Sequence, residues 1–492
     1  MADYPLDILC RWPVVFICDR GVHMTHIHLI GIGGSGMSAI ARVLLESGET
    51  VSGSDRQLSP LAQGLADSGV QVMIGHRPEN ILGAEVVVRS SAVGDDNPEV
   101  AAAFQAGVPV LKRADFLGAW IGPERGRRLV AVAGTHGKTT TTAMVSWLLS
   151  ALGQDPSYII GGVSLNLGGN AHASRMPLFV IEADEYDRMF LGLRPEIAVI
   201  TNIEHDHPDC YPTPGDFAAA FDQFAGRVLP GGGLVACLDD PGAAELARRV
   251  VPSADLHLRT YSVGQPADYR ALNLAPNPHG GLSFEFLAAG REPTRLQVAL
   301  QVPGEHNVRN ALAALAVVDL LGLPLQAAAA ALVEFCGTGR RFELRGQAAG
   351  VMVYDDYAHH PTEIRATLSA ARLRFPGRVV WAVWQPHTYS RTRTLLDGFA
   401  AAFEDADRVI VTEIYAAREQ LPADGFSAFQ VMQAIAQRGV QVTFAPSLVQ
   451  ARQLLATQVR SGDVVLVLSA GDADQVSAGL LIDLEGREAA HG

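Results

Sequence analysis

The chain has 492 residues, 48% hydrophobic, 18% charged and 7% aromatic, and its 38 basic and 52 acidic residues leave a net charge of −14. At about 150 residues per domain this predicts about three domains, each able to bury a core without disulfide or metal staples. The apolar content excludes intrinsic disorder, and the acidity argues against wrapping nucleic acid or lying on an anionic membrane.

Residues 1–23 are interrupted by charges and lack the apolar run and cleavage site of a signal peptide. They are expected to be a non-native or disordered extension, with Met24 as the true start. From there short apolar strands alternate with Ala/Leu-rich helices, the pattern of α/β architecture with mainly parallel sheets. Strands are predicted at Ile27–Ile32, Glu49–Ser52, Val70–Ile74 and Glu85–Arg89, with helices over Met37–Ser47 and Leu61–Ser68. The Gly/Pro/charge-rich stretch Gly122–Arg128 reads as a linker. A second unit follows with strands Leu129–Val132, Leu178–Glu182 and Ile197–Thr201 and a helix over Thr139–Leu152. Alternating runs at Leu282–Leu287 and Leu296–Val302 predict an antiparallel addition, and Asn307–Leu321 an alanine-rich helix. After Gly337-Thr338-Gly339 a third unit carries strands near Val351–Tyr354, Val379–Val383, Arg408–Thr412 and Val464–Ser469. The expected domains are therefore 24–122, 123–336 and 337–492.

Five scattered cysteines, an odd number with no C-x-x-C pair, argue for a reducing compartment and against a zinc ribbon. No run approaches about 18 apolar residues, so a cytoplasmic protein without membrane insertion is expected. Only two of the 38 basic residues are lysines, Lys112 and Lys138, and a retained lysine invites the question of why arginine would not serve.

Four motifs carry chemistry. Gly31-Ile32-Gly33-Gly34-Ser35-Gly36 lies between a strand and a helix, where glycines let the backbone approach a pyrophosphate. Asp55 stands where a Rossmann fold places a ribose-binding acid, so alone this motif reads as a nicotinamide site. Gly134-Thr135-His136-Gly137-Lys138-Thr139-Thr140 is a shortened phosphate loop, because Val132 occupies the position of the first P-loop glycine. Its amides and Lys138 would hold phosphates, and the Thr139 hydroxyl a Mg²⁺. Glu182-Ala183-Asp184-Glu185 follows a strand end, where nucleotide triphosphatases hold their metal. Asn202-Ile203-Glu204-His205-Asp206-His207 has no further ligand at zinc spacing, so a magnesium site borrowing one imidazole fits better.

In this order the four motifs resemble the Mur ligase family, ATP-dependent amino-acid ligases of peptidoglycan synthesis, and are most similar to its alanine-adding members. Gly304–Ala311, Gly339–Glu343, Asp355-Asp356-Tyr357-Ala358-His359-His360-Pro361-Thr362-Glu363 and Gln385–Arg393 match further family elements, so the resemblance runs from Met24 to about Asp474. It implies a Rossmann-like UDP-binding domain, a central P-loop ATPase-like α/β domain and a C-terminal Rossmann-like domain. The implied reaction joins L-alanine to the carboxylate of UDP-N-acetylmuramate, using ATP and Mg²⁺ and passing through an acyl phosphate, in a monomer or homodimer. The first glycine loop then holds the UDP-sugar, through Gly33, Gly34, Ser35, Gly36, Met37, Ser38, Asp55, His76, Ser90 and Ser91. The resemblance assigns Gly134–Thr140 and Lys138 to the ATP phosphates, Thr139 and Glu182 to one Mg²⁺ and His207 to a second. It places His306 and Asn307 at the adenine, Arg341 and Asp356 at the nucleotide, and His359 and Arg391 at the alanine and acyl-phosphate end. Two departures stand out. Tyr186 replaces a serine frequent in alanine-adding members and is shared with a relative that attaches a tripeptide, and Ser469-Ala470-Gly471-Asp472 is only close to the family's G-A-G-D. A nicotinamide oxidoreductase would leave the second loop idle, and a nucleotide-gated sensor would leave the last two elements idle.

Overall fold

A computed structural model describes residues 25–250, 255–290, 293–417 and 419–491. The expected extension 1–23 lies outside the described residues. The chain forms two compact units that part between Arg113 and Ala114.

The first unit holds five parallel strands, β1 (His26–Ile30), β2 (Thr50–Asp55), β3 (Gln71–Ile74), β4 (Val86–Arg89) and β5 (Val110–Lys112), in the order 3-2-1-4-5. The order reverses beside β1, and in such open sheets ligands sit outside the carboxyl strand ends at this switch point. The helix Ser35–Glu46 begins there, right after the glycine turn.

This unit buries one carboxylate completely. Glu99 accepts from Ser54 Oγ at 2.6 Å, from the Arg77 amide at 3.3 Å and from Asn80, and its Oε2 lies 3.5 Å from both His28 Nε2 and His76 Nδ1. Burial raises its pKa, but the nearby His28 imidazole and the hydrogen bonds of Ser54 and Asn80 outweigh it and bring the value down to about 2. A folded-state pKa below the unfolded one stabilises fully above about pH 4.5 and is lost as pH falls toward about 2. Glu99→Gln is expected to remove that part of the acid dependence and to cost about 2–3 kcal/mol at pH 7. Amide hydrogen exchange of β2 across pH 2–7 reads it out; a variant with the wild-type profile contradicts the assignment.

The second unit holds two sheets. The larger comprises β6 (Arg128–Ala133), β7 (Ser157–Ser164), β8 (Gly169–His172), β9 (Leu178–Glu182), β10 (Ile197–Ile200), β11 (Gly233–Cys237), β12 (His257–Ser262), β13 (Tyr269–Pro276), β14 (Leu282–Ala288) and β15 (Thr294–Ala299), in the order 15-14-13-12-11-10-6-9-7-8. Strands 12-11-10-6-9-7 run parallel, and β13–β15 form the expected antiparallel addition. The central strand β6 is buried at Leu129–Ala133, as a strand covered on both faces must be. The other sheet, β16 (Glu343–Ala348), β17 (Val351–Asp356), β18 (Val380–Trp384), β19 (Arg408–Thr412), β20 (Val442–Ala445) and β21 (Val464–Leu468), has the order 16-17-21-18-19-20 and is parallel except at β16. Apolar clusters cover both its faces, one around Trp384, Phe399 and Phe403 and the other around Trp381, Val465 and Leu480. Among the described residues no helix is long and apolar enough to cross a membrane.

Candidate active site

In the second unit, the carboxyl ends of β6, β9 and β10 carry the three motifs that the sequence singled out. After β6 the chain turns through Gly134 (φ +140°) and Gly137 (φ +80°) into the helix Lys138–Ala151. A side chain at Gly134 would collide with Thr201 Oγ1, and one at Gly137 would lie 2.7 Å from Asn310 Oδ1. Both positions therefore demand glycine for space as well as for φ. Thr135 Oγ1 donates to the Glu204 carbonyl at 2.7 Å, and the His136 amide donates to Asn202 Oδ1 at 2.8 Å. The loop after β10 thus holds the phosphate loop in shape.

Lys138 Nζ curls back over this turn. It donates to the Gly134 carbonyl at 2.6 Å and the Thr135 carbonyl at 3.0 Å, and pairs with Glu185 at 2.9 Å. Burial disfavours its charge, yet the carboxylates of Glu185, Glu182 and Asp184 raise its pKa above the usual value, so it stays cationic. Thr139 Oγ1 donates to Glu182 Oε1 at 3.0 Å, and Glu182 Oε2 accepts from the Gly161 amide at 2.6 Å. Burial pushes the Glu182 carboxyl up, against the pull of Lys138. A hydroxyl and a half-buried carboxylate at the mouth of a phosphate loop are hard oxygen donors, the chemistry that fits Mg²⁺. His207, with backbone in the left-handed region (φ +55°), holds Nε2 3.4 Å from Glu185 Oε1. Lys138, Glu182 and His207 thus gather around the Glu182–Glu185 turn. The Tyr186 ring lies 5.1 Å from that of His207, and its hydroxyl donates to Asp209 at 3.1 Å.

Beside the loop a cavity opens between the two sheets of this unit, lined by His306, Asn307, Asn310, Arg341, Asp356 and Glu363 among others. Asn307 donates to the Pro303 carbonyl at 2.7 Å and accepts from Asn310 at 3.1 Å. Burial brings the His306 pKa down to about 4 and pushes the Asp356 carboxyl up to about 6, even though the Phe342 and Ala358 amides donate to it. The Arg341 guanidinium stands 5.0 Å from the Tyr357 ring centre, a cation–π contact. His306, Asn307, Arg341 and Asp356 therefore share one cavity with His136 and Thr139.

His359 and Arg391 lie at the same domain boundary. His359 Nδ1 is 3.0 Å from the Tyr357 carbonyl and 3.2 Å from Glu363 Oε2, and burial holds its pKa down at about 3. Arg391 grips Asp206 with Nε at 3.0 Å and Nη2 at 2.9 Å, both side chains being buried. Opposite Arg391, Asp206 is held well below the usual carboxylate range although burial opposes its charge. Asp472, whose role the sequence left open, accepts from Gln385 at 2.8 Å, and Gln385 in turn accepts from Ser469.

The first glycine loop lies in the first unit. The Gly33 amide donates to Asp55 Oδ2 at 2.9 Å, so Asp55 braces the turn. His76 Nδ1 is 3.1 Å from Ser54 Oγ, and Ser90 packs beneath Gly31, whose added Cβ would lie 3.0 Å from that of Ser90. Gly34 is the cap of the helix that Ser35 and Gly36 open, and Ser91 is exposed. Met37 and Ser38 turn inward: Met37 is buried and the Ser38 hydroxyl donates to the Ser35 carbonyl.

Sequence reasoning missed Glu185, Glu204, Asp206, His360 and Glu363. All five sit inside quoted motifs, but their spacing gave no sign that Glu185 faces Lys138, that Asp206 grips Arg391 or that Glu204, His360 and Glu363 gather around His136. Glu363 is the N3 residue of a capping box on the helix Pro361–Arg374 and also accepts from His136 Nδ1 at 3.1 Å. The helix cap and the domain contact are thus one carboxylate.

Three family models match in chain order: "Mur ligase family, catalytic domain" over 26–125, "Mur ligase middle domain" over 132–318, and "Mur ligase, glutamate ligase domain" over 340–471. A UDP-N-acetylmuramate–L-alanine ligase of Chloroflexus aggregans is 43% identical over 479 residues, covering 94% of this chain and 99% of that protein. One of Paenarthrobacter aurescens is 45% identical over 446 residues, covering 91% and 94%. Among solved structures, the UDP-N-acetylmuramate–alanine ligase of Thermotoga maritima is 29% identical with a TM-score of 0.78 over 96% of this chain and all of that one. A murein peptide ligase of Psychrobacter arcticus is 26% identical with a TM-score of 0.68, covering 94% and 99%. With three successive domain matches and relatives above 40% identity along nearly its whole length, the chain belongs to the Mur ligase family.

Proposed function

We propose that the protein joins L-alanine to the carboxylate of UDP-N-acetylmuramate at the expense of ATP, as a cytoplasmic enzyme of peptidoglycan precursor synthesis. The observation that carries this reading is the half-buried cluster of Lys138, Thr139, Glu182 and Glu185 at the phosphate loop, in a chain whose relatives with that named activity match it at 43–45% identity. The domains would be 24–122 for the UDP-sugar, 123–336 for ATP and 337–492 for the ligase end.

A carboxylate does not react with an amine at neutral pH. Transfer of the γ-phosphoryl group of ATP to the carboxylate forms an acyl phosphate and ADP. The alanine amine attacks its carbonyl carbon, and loss of phosphate leaves the amide. Such chemistry rests on positioning and charge neutralisation. Lys138 would shift from Glu185 to the β/γ-phosphates, while the Gly134–Thr140 amides cradle them. Thr139 and Glu182 would hold one Mg²⁺ and His207 a second; when bound, the ions neutralise charge on the transferring phosphoryl group. His306 and Asn307 would frame the adenine, with Arg341 and Asp356 at the nucleotide. His359, kept neutral by burial, and Arg391 would meet the amine and the acyl phosphate. The residues Gly33–Ser38, Asp55, His76, Ser90 and Ser91 would hold the UDP-sugar, Met37 and Ser38 through their backbone.

Tyr186 beside His207 favours a second reading, attachment of the tripeptide L-Ala-γ-D-Glu-meso-diaminopimelate to the same sugar. A phosphate-release assay with UDP-N-acetylmuramate and either amine separates the two. L-alanine is expected to be turned over at least about 10²-fold faster per unit concentration; preference for the tripeptide overturns the first reading. Glu182→Gln is expected to lower turnover about 10²-fold and to shift the magnesium dependence to higher concentration. An unchanged magnesium curve removes Glu182 from the metal site.

A further inference from the structure

One side-chain cluster of the second unit is not used by the proposed chemistry. His136 Nε2 lies 2.9 Å from Glu204 Oε2, and His360 Nδ1 lies 3.9 Å from that same oxygen. The two imidazole rings stand 4.7 Å apart between centroids, and one donor atom from each of the three residues falls within 4.8 Å of the others. Two nitrogens and an oxygen bound at about 2.0–2.1 Å around a tetrahedral ion stand about 3.3 Å apart, a value that the 2.9 and 3.9 Å separations bracket.

Two further observations point to a ligand. His360 is 2% exposed; its Nδ1, the nitrogen 3.9 Å from Glu204, accepts a long bond of 3.3 Å from the Thr362 amide, and its Nε2 has no partner among the described residues. It is a buried imidazole whose polar capacity the fold leaves largely idle. On the other ring, His136 Nδ1 faces Glu363 Oε1 at 3.1 Å. That is the carboxylate–histidine arrangement which, around bound metals, fixes the tautomer and turns the opposite nitrogen toward the ion. Burial leads in bringing His360 down to about 4, and the hydrogen bond of His136 helps bring Glu204 down to about 2 against its own burial, so both are in ligand form at neutral pH. Burial opposes the charge of His136, but the hydrogen bonds of Glu204 and Glu363 raise its pKa to about 9, so an ion bound there displaces the Nε2 proton.

We propose that His136, Glu204 and His360 form a binding site for a d-block divalent cation of the zinc class, separate from Thr139, Glu182 and His207. Two imidazoles with a single carboxylate suit Zn²⁺ or Co²⁺ better than Mg²⁺, whose ligands are mainly oxygens. An ion there ties the phosphate loop, through His136, to the start of the helix Pro361–Arg374, through His360. It thereby restrains the cavity between the two sheets and slows turnover. The metal site stands whether or not the ligase reading does, since its test needs no substrate.

The test titrates the full-length protein with Co²⁺ in excess Mg²⁺, which occupies oxygen-donor sites, and follows the visible d–d absorption. One equivalent with an intense tetrahedral-type spectrum is expected. His360→Gln and Glu204→Gln are each expected to weaken Co²⁺ binding at least 10-fold, whereas Cys210→Ser leaves it unchanged. In phosphate-release assays the Zn²⁺ concentration for half-inhibition is expected to rise by a similar factor in His360→Gln. No tetrahedral spectrum with the wild-type protein, or variants that bind as the wild type does, overturns the proposal. Should His360→Gln fail to fold, Glu204→Gln decides by the same criterion.

Discussion

Lys138→Ala is expected to lower ATP-dependent amide formation by about 10²–10³-fold, roughly 3–4 kcal/mol of transition-state stabilisation, while UDP-sugar affinity stays within about twofold. The separation follows from placement. Lys138 opens the helix Lys138–Ala151 of the second unit, whereas the residues assigned to the UDP-sugar lie in the first. The ammonium fits because it is a compact point charge with three donors, here spread over two loop carbonyls and Glu185. A planar guanidinium cannot point its donors into that turn, so Lys138→Arg is expected to rescue less than a tenth of the activity. Removing the lysine also strips Glu185, which is 1% exposed, of its main cation. Circular dichroism and a thermal melt should therefore accompany the kinetics. A folded Lys138→Ala protein that ligates at near-normal rates would falsify the phosphate-loop assignment.

The second large effect is expected at Asp206. It follows β10 in the central domain, and its partner Arg391 lies in the helix Tyr389–Thr394 of the C-terminal domain. The pair is bidentate and buried at 6% and 7% exposure. Truncating one member of such a pair leaves the other charge buried and uncompensated, a loss of about 3–5 kcal/mol. Asp206→Ala is therefore expected to destabilise by that amount in urea denaturation. The double variant Asp206→Ala/Arg391→Ala should be less destabilised than the sum of the two single ones, because it leaves no orphan charge. Strictly additive losses would mean that the pair contributes no coupling. Turnover should fall in all three variants, since the contact joins the two domains that line the cavity.

Much of this was legible in the chain because it depends on local geometry. The strands Leu178–Glu182 and Arg408–Thr412 fall where short continuous apolar runs place them, and most other boundaries lie within two residues. The glycine turns were legible because a loop at φ +140° and +80° needs residues without Cβ. Less visible were β7, β8, β12 and β16, either short or mixed in burial, so that their apolar pattern is weak; β11 was missed although all five of its residues are buried. The helix Glu305–Leu320 shows the opposite case: eleven of its residues are buried, and a helix covered nearly all round has no amphipathic period to betray its neighbours.

Length and charge at the outset indicated several α/β domains and an acidic protein that must attract anionic nucleotides locally. The sequence by itself determined the glycine loops, the acids at strand ends and the single lysine among them, because backbone conformation and residue chemistry act over a few positions. Only the tertiary structure decided that Lys138 rests against Glu185, that Arg391 pairs with Asp206, and that His136, Glu204, His360 and Glu363 converge. These contacts join residues up to 227 positions apart. They are set by how β6, β10 and the helix Pro361–Arg374 pack, and no local pattern in the chain encodes that packing.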